Sequence, residues 1–498
     1  MTRMCGLSMN KLWIAIIAFG ASFDVGAAQG WLKTIRNQTK PTIVNIETHP
    51  KVGLHNDDAV PWAGTGFVLD WDKGLVLTNK HVSGISPCIT QEITFSSGET
   101  LSVRTVYVHP WHDYAFLKFD PSQLKRTRPA ELSIGNVSSV QEGDVLVQIG
   151  NTERNPYSTS TLIVANDFTN QGVAGSSYRH THMFHLSGMI AGGASGSPVL
   201  NQKGEVVGLI NSSDQTQAFA LRIDYVLETL KQLQAGQSPS NGDLGISLNT
   251  ISVSDIEKYL GLTTEAKMAF DKMVKVFPDA QEFLKIHGIL PSLAKQSNIQ
   301  VGDILVSFKS GQTRPKTIGN DMFSFDTWMD QSVGKSITLS VIRDGQSVIK
   351  VPLKVKSAWD AEPKSFVTFG FGTFHDITPN LSVHHSFDQK GVFLTESAAN
   401  QSAFGGLGLY VGNDNTHGKK RVFISQISSF EINNLKDFIK AIGALQKEKK
   451  KRVVVYFRDQ QEYSAKLRTD FVDLDFESDP LKYFEFDPKK MQWTERKI

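Results

Sequence analysis

Cysteine is almost absent: the 498 residues contain two, Cys5 and Cys88. Cys5 lies in a stretch read below as a removable leader, so the mature chain would keep a single thiol. That excludes an internal disulfide and any zinc site built on paired thiolates. Export does not require such staples in a chain long enough to bury large cores. A charge excess is absent too, because 52 basic and 50 acidic side chains leave +2. The strongly basic domain or stripe expected of a nucleic-acid binder is therefore missing. The one basic tract, Lys447–Arg452, falls between helix-like and strand-like stretches and reads as a solvated turn. Long apolar runs are also lacking. Leu12–Phe19 falls well short of the ~20 residues that a spanning helix needs, and no later segment could cross a membrane, so no integral span is expected in the mature chain. No phosphate-binding loop occurs, which argues against an ATP motor. His180, His182 and His185 have neither helical spacing nor an acid close by in sequence, and read as surface or strand histidines rather than a metal site.

What is present is an ordinary globular composition, 40% hydrophobic and 20% charged. The length suits three domains at about 150 residues each. At the start, Arg3 and Lys11 precede the apolar run, and Gly26, Ala27 and Ala28 follow it. This is the order of a secretory signal over residues 1–28, with cleavage after Ala27 or Ala28. An uncleaved membrane anchor is the alternative.

From Thr42 to Ile223 short runs rich in β-branched and aromatic residues alternate with Gly, Asn, Asp and Ser, which predicts an all-β barrel or sandwich. Val226, Leu227, Leu230 and Leu233 then recur at helical spacing. Ala235–Asn241 is small, polar and Pro-containing, and reads as a linker. Beyond it the order strand, helix, strand, turn, strand occurs twice, the turns being Arg343-Asp-Gly and Arg458-Asp-Gln, which suggests an internal duplication. The second copy is expected to use strands at 422–427, 452–457 and 462–467 and a helix at 435–444. The tail after Thr469 is acidic and aromatic and suggests no fold.

Three patterns in the β-rich region carry chemistry. His81 follows a strand in Leu77-Thr-Asn-Lys-His, Asp113 precedes the apolar run Tyr114–Leu117, and Ser195 sits in Gly192-Gly-Ala-Ser-Gly-Ser-Pro. A serine hydroxyl is a weak nucleophile, so an imidazole must take its proton during attack. A buried carboxylate on the far ring nitrogen fixes the tautomer and stabilises the imidazolium. Backbone N–H groups must meet the oxyanion, and Gly193 and Ser195 are the candidates. Ser197 competes as nucleophile, but Pro198 confines it to extended geometry. His112 adjoins Asp113, and neighbours in a strand face opposite ways, so His81 is preferred as base.

At Gly64-Thr-Gly-Phe, Thr78-Asn-Lys-His-Val, His112-Asp-Tyr-Ala-Phe-Leu-Lys and Gly193-Ala-Ser-Gly-Ser-Pro, the chain resembles the HtrA/DegP family of PDZ-bearing serine proteases. The block His109–Pro121 and the two following modules resemble most the branch containing the fungal nuclear member. The resemblance implies a mainly β fold: a two-β-barrel, chymotrypsin-like protease domain over 29–236, PDZ-like α+β domains over 242–356 and 366–468, and a tail over 469–498. It implies no need of a metal or organic cofactor, a cleft strand at Ala218, Phe219 and Ala220, and a specificity pocket with Met189 at its base. Leu244, Gly245, Ile246 and Ser247 would form the carboxylate-binding loop of the first PDZ domain, with Phe369–Gly372 a rougher counterpart in the second. Ser197 stands where most family members carry Gly, and the short stretch His49–Ala63 points to a homotrimer rather than a large cage. The implied function is ATP-independent cleavage of unfolded exported proteins, located in the periplasm, with peptide C-termini as partners. A protease-like scaffold without activity and a protease cutting one specific partner are the alternatives.

Overall fold

A computed structural model describes residues 25–497 apart from 55–59, 153–154, 173–179, 215, 291–292, 294–296, 380, 382–389, 398–402, 405–406, 408, 412–416, 420–421 and 460–466. The apolar run of the expected signal and the strand expected at 462–467 thus fall wholly or largely outside the described residues. A helix, Val25–Thr39, runs through the expected cleavage positions and buries Ile35 against the first domain.

The chain is mainly β, as the sequence leads one to expect. Thirteen strands build the first unit: β1 (Ile43–Pro50), β2 (Trp62–Asp70), β3 (Leu75–Thr78), β4 (Cys88–Phe95), β5 (Thr100–Ser102), β6 (Arg104–Val108), β7 (Ala115–Lys118), β8 (Val145–Thr152), β9 (Asn155–Gly172), β10 (His180–Ser187), β11 (Pro198–Leu200), β12 (Val206–Ser213) and β13 (Gln217–Arg222). The first seven form one sheet in the order β5-β4-β1-β2-β3-β7-β6. Its edge strands β5 and β6 are separated only by Val103, so the sheet curls round as a half-barrel. The other six close into a barrel, β10-β13-β12-β11-β8-β9. Every residue of β3 is buried, which explains its unbroken apolar run.

One core joins the two halves. Phe67, Leu77, Tyr114 and Phe116 from the first sheet pack with Val147, Ile149, Leu200 and Leu209 from the barrel. The helix Asp224–Gln234 lays Val226 and Leu230 on the same cluster. Loops that end strands at this seam are therefore held by core on both sides.

The second unit is a sheet ordered Ile246–Ser252, Glu282–Ile289, Ile304–Ser310, Ser336–Arg343 and Ser347–Lys354, with Lys316–Thr317 beside its centre. Asp321 caps the helix Met322–Asp330 by accepting from the Phe323 N–H. A further helix, Thr264–Val276, has Thr263 as its cap and buries Phe270 and Met273. The third unit surrounds Phe374, Phe404 and Phe438. The stretch after Thr469, to which the sequence assigns no fold, belongs to this unit. Arg468–Asp473, Lys482–Asp487 and Gln492–Arg496 are strands of its nine-stranded sheet, and Lys482–Asp487 pairs with Ser365–Phe369.

Candidate active site

His81 occupies a single helical turn, Lys80–Ser83, just beyond β3. Asp113 is fully buried before β7. Its Oδ1 accepts the His81 backbone N–H at 2.9 Å, and its Oδ2 lies 2.6 Å from His81 Nδ1. A carboxylate there accepts, so Nδ1 carries the proton and Nε2 keeps its lone pair. The Asp113 backbone carbonyl accepts from Asn79 Nδ2 at 2.9 Å, which ties the two loops together a second time. The imidazole side chain is 39% exposed, so its outer edge reaches solvent.

The Ser195 turn is built on glycines. Gly193 and Gly196 have φ of 91° and 83°, a region that side chains with a Cβ avoid. A Cβ on Gly196 would also lie 2.1 Å from the Thr65 carbonyl oxygen. Two anchors fix this turn against His81 and Asp113. Thr65, on β2 beside β3, donates its N–H to the Ser195 carbonyl and its hydroxyl to the Gly193 carbonyl, both at 2.9 Å. Gly196 N–H donates to the carbonyl of Ile210 at 2.9 Å, and the next residue, Asn211, donates its amide to Asp113 Oδ2 at 2.7 Å. Among the described residues no backbone carbonyl accepts from the N–H of Gly193 or Ser195, which leaves both able to meet an oxyanion. A cleft of about 860 Å³ adjoins this turn, walled by Gly192, Gly193, Trp62, Glu47, His49 and Tyr157.

Sequence reasoning did not assign Thr65 or Asn211. A signal for Thr65 was present in Gly64-Thr-Gly: a Cβ on Gly64 would lie 2.6 Å from Val82, and one on Gly66 2.7 Å from Ile46. A residue squeezed between two such glycines is held for a purpose. Asn211 follows the apolar run Val206–Ile210 within β12 and gave no signal. Ser197, the competing nucleophile, is fully buried and accepts from Gln148 Nε2 at 2.9 Å. His112 is also buried, with Nδ1 2.9 Å from the Thr181 hydroxyl.

Two other expectations are corrected. Met189 does not line the base of a pocket; it is 71% exposed. The carbonyl of Ile190 accepts from the Ser213 hydroxyl, which holds Ile190 inward and turns its neighbour out. Ala218, Phe219 and Ala220 do not form an open cleft edge. Their strand pairs with β10 on one side and β12 on the other, and both alanines lie in the barrel core. In Leu244–Ser247 the side chains of Leu244 and Ile246 belong to the second unit's core, and Gly245 N–H already donates to Asp243 Oδ1 at 2.8 Å. The loop nonetheless leads into the sheet-edge strand Ile246–Ser252. At Phe369–Gly372, Phe369 is buried and Phe371 N–H donates to Asp479 Oδ2 at 2.7 Å.

Residues 64–209 match the family described as trypsin-like peptidase domain. The chain is similar to the pro-apoptotic serine protease nma111 of Aspergillus clavatus, 27% identical over 88% of this chain and 41% of that protein. Its counterpart in Phaeosphaeria nodorum is 28% identical over 74% of this chain and 36% of that one. The chain thus spans less than half the length of these curated relatives. Among solved structures, the HtrA-type protease AlgW with tripeptide aligns with TM-score 0.48 at 18% identity, covering 66% of this chain and 97% of that one. These relatives overturn the expected exported, periplasmic location, since they are fungal proteins and fungi have no bacterial periplasm. No described helix is long and apolar enough to cross a membrane. Residues 64–209 are a trypsin-like peptidase domain, and over most of its length the chain is similar to fungal serine proteases that carry one.

Proposed function

We propose that the chain is a serine endopeptidase in which Ser195 attacks the scissile carbonyl. The observation that carries this reading is the pair of hydrogen bonds that Asp113 accepts from His81, Oδ1 from the backbone N–H and Oδ2 from Nδ1. This arrangement aims Nε2 outward as a base for the Ser195 proton. The Nδ1–H donated to a buried carboxylate stabilises the imidazolium formed on attack. His81 then returns the proton to the leaving amine, and a water repeats the sequence to free the acyl group. The Gly193 and Ser195 N–H groups would hold the oxyanion, and losing one such donor costs about 2.7–4 kcal/mol of barrier.

Unfolded polypeptides are the proposed substrates, cut without ATP. The second unit would capture a peptide as an added strand on the edge Ile246–Ser252. An arriving C-terminal carboxylate would replace Asp243 at the Gly245 N–H. Degradation of casein by the wild type and by Ser195→Ala tests the chemistry. The variant is expected to fold and bind peptide but not cut; cutting at the wild-type rate would end this assignment.

A further inference from the structure

Both residues beside the acid–base pair are gripped by parts of the chain far downstream. Lys80, which precedes His81, is 6% exposed. Its ammonium donates to the Pro110 carbonyl at 2.9 Å and to Glu362 Oε1 at 3.1 Å, and the two side chains are 8% and 5% exposed. Glu362 lies between the second and third units. His112, which precedes Asp113, has Nε2 3.2 Å from Asp326 Oδ2 on the helix Met322–Asp330. Between these contacts Trp111 packs on Ala358 and Ala361, in the turn that leads to Glu362. The loop 109–113 is therefore enclosed by the second unit's helix on one side and the following turn on the other.

We infer that Glu362 and Asp326 are positioning residues that hold the loops of His81 and Asp113 in register, so that the units beyond residue 236 form part of the hydrolytic machinery. The inference rests on the reading of His81, Asp113 and Ser195 given above. Lys80 bridges both loops through Pro110, so loss of its carboxylate partner frees the turn that aims the imidazole. A buried ammonium without a counter-charge seeks water, and the turn is short enough to follow it. His112 cannot move without moving Asp113, because the two are adjacent and both buried. Small misplacements of reacting groups lower turnover steeply without altering substrate binding.

The test uses the full chain, with three readouts: labelling of Ser195 by a fluorophosphonate, kcat and KM on a cleavable peptide, and the melting temperature. Asp326→Asn and Glu362→Gln are each expected to slow labelling and kcat about tenfold or more while KM stays within about twofold. Glu362→Gln alone leaves a buried cation and could fail to fold, so Lys80→Met/Glu362→Met is measured with it. That pair removes both charges and should recover the melting temperature but not kcat. Recovery of kcat together with the melting temperature would reduce the pair to a structural role and overturn the inference. So would wild-type kcat in Asp326→Asn. A wild type that takes no label would instead remove the underlying reading, and Ser195→Ala distinguishes the two cases.

Discussion

Asn211 donates its side-chain amide to the same oxygen of Asp113 that faces His81, at 2.7 Å against 2.6 Å for the imidazole. That oxygen thus receives two donors from opposite halves of the peptidase domain, because His81 follows β3 and Asn211 sits on β12. Asn211→Ala should remove one donor from a buried carboxylate. Hydrogen bonds to charged groups are worth about 1.5–3 kcal/mol, so kcat should fall roughly ten- to a hundredfold. Steady-state kinetics on a peptide substrate check this, and unchanged kcat would show that His81 needs no such support.

Ser197 offers the converse case. It is buried on Gln148, so Ser197→Ala should keep cleavage while lowering stability by about 1–3 kcal/mol for the donor left unpaired. Chemical denaturation and a casein assay on the same preparation separate the two effects. Loss of cleavage with stability intact would make Ser197 the better nucleophile.

Gly196→Ala should abolish cleavage. Its φ of 83° costs an alanine roughly 1–3 kcal/mol, and the added methyl would meet the Thr65 carbonyl at 2.1 Å. The turn can then keep either its bond to Thr65 or its shape. Fluorophosphonate labelling reads the outcome directly, and normal labelling would show that the turn tolerates the shift.

Acid stability should depend on Glu99, a residue 7% exposed. Burial alone would raise its pKa, but the N–H groups of Lys125, Arg126 and Thr127 and the Thr127 hydroxyl outweigh it and bring it from 4.5 to about 2. A folded pKa below the unfolded one means stability present above the unfolded value. It is lost as pH falls from 4.5 through about 2. Glu99→Gln should therefore lower the melting temperature at neutral pH and flatten its decline across that window. An unchanged slope would contradict the assignment.

In the second unit Arg343 holds Asp303 with two bonds, Nε to Oδ1 at 2.8 Å and Nη2 to Oδ2 at 2.7 Å. The Asp303 side chain is 1% exposed. Arg343→Met would strand a buried carboxylate, and breaking such a pair costs about 3–5 kcal/mol. Calorimetry should show the transition of this unit moved down; no shift would mean that water reaches Asp303.

Much of this was written locally in the sequence. His81, Asp113 and Ser195 each sat in a short pattern whose residue types fit one chemistry, and the strands around them were legible from β-branched runs. Asn211, Asp326 and Glu362 were not legible, because each acts through a partner distant along the chain and sits in an unremarkable local context. Met189 misled for a related reason: its orientation depends on a bond between Ser213 and Ile190 that no local pattern records. The stretch beyond Thr469 looked shapeless because the strand that docks it, Lys482–Asp487, finds its partner Ser365–Phe369 more than a hundred positions earlier.

The pairing of Lys482–Asp487 with Ser365–Phe369 sets a timetable for synthesis. Phe366 leaves the ribosome long before Phe484, the ring it will stack on. At about 5–20 residues per second, that wait lasts on the order of ten seconds. Throughout it an aromatic strand edge stands uncovered, open to templated association with other nascent chains. Production of this protein should therefore respond to elongation rate and to holdase supply more sharply than its final stability would suggest.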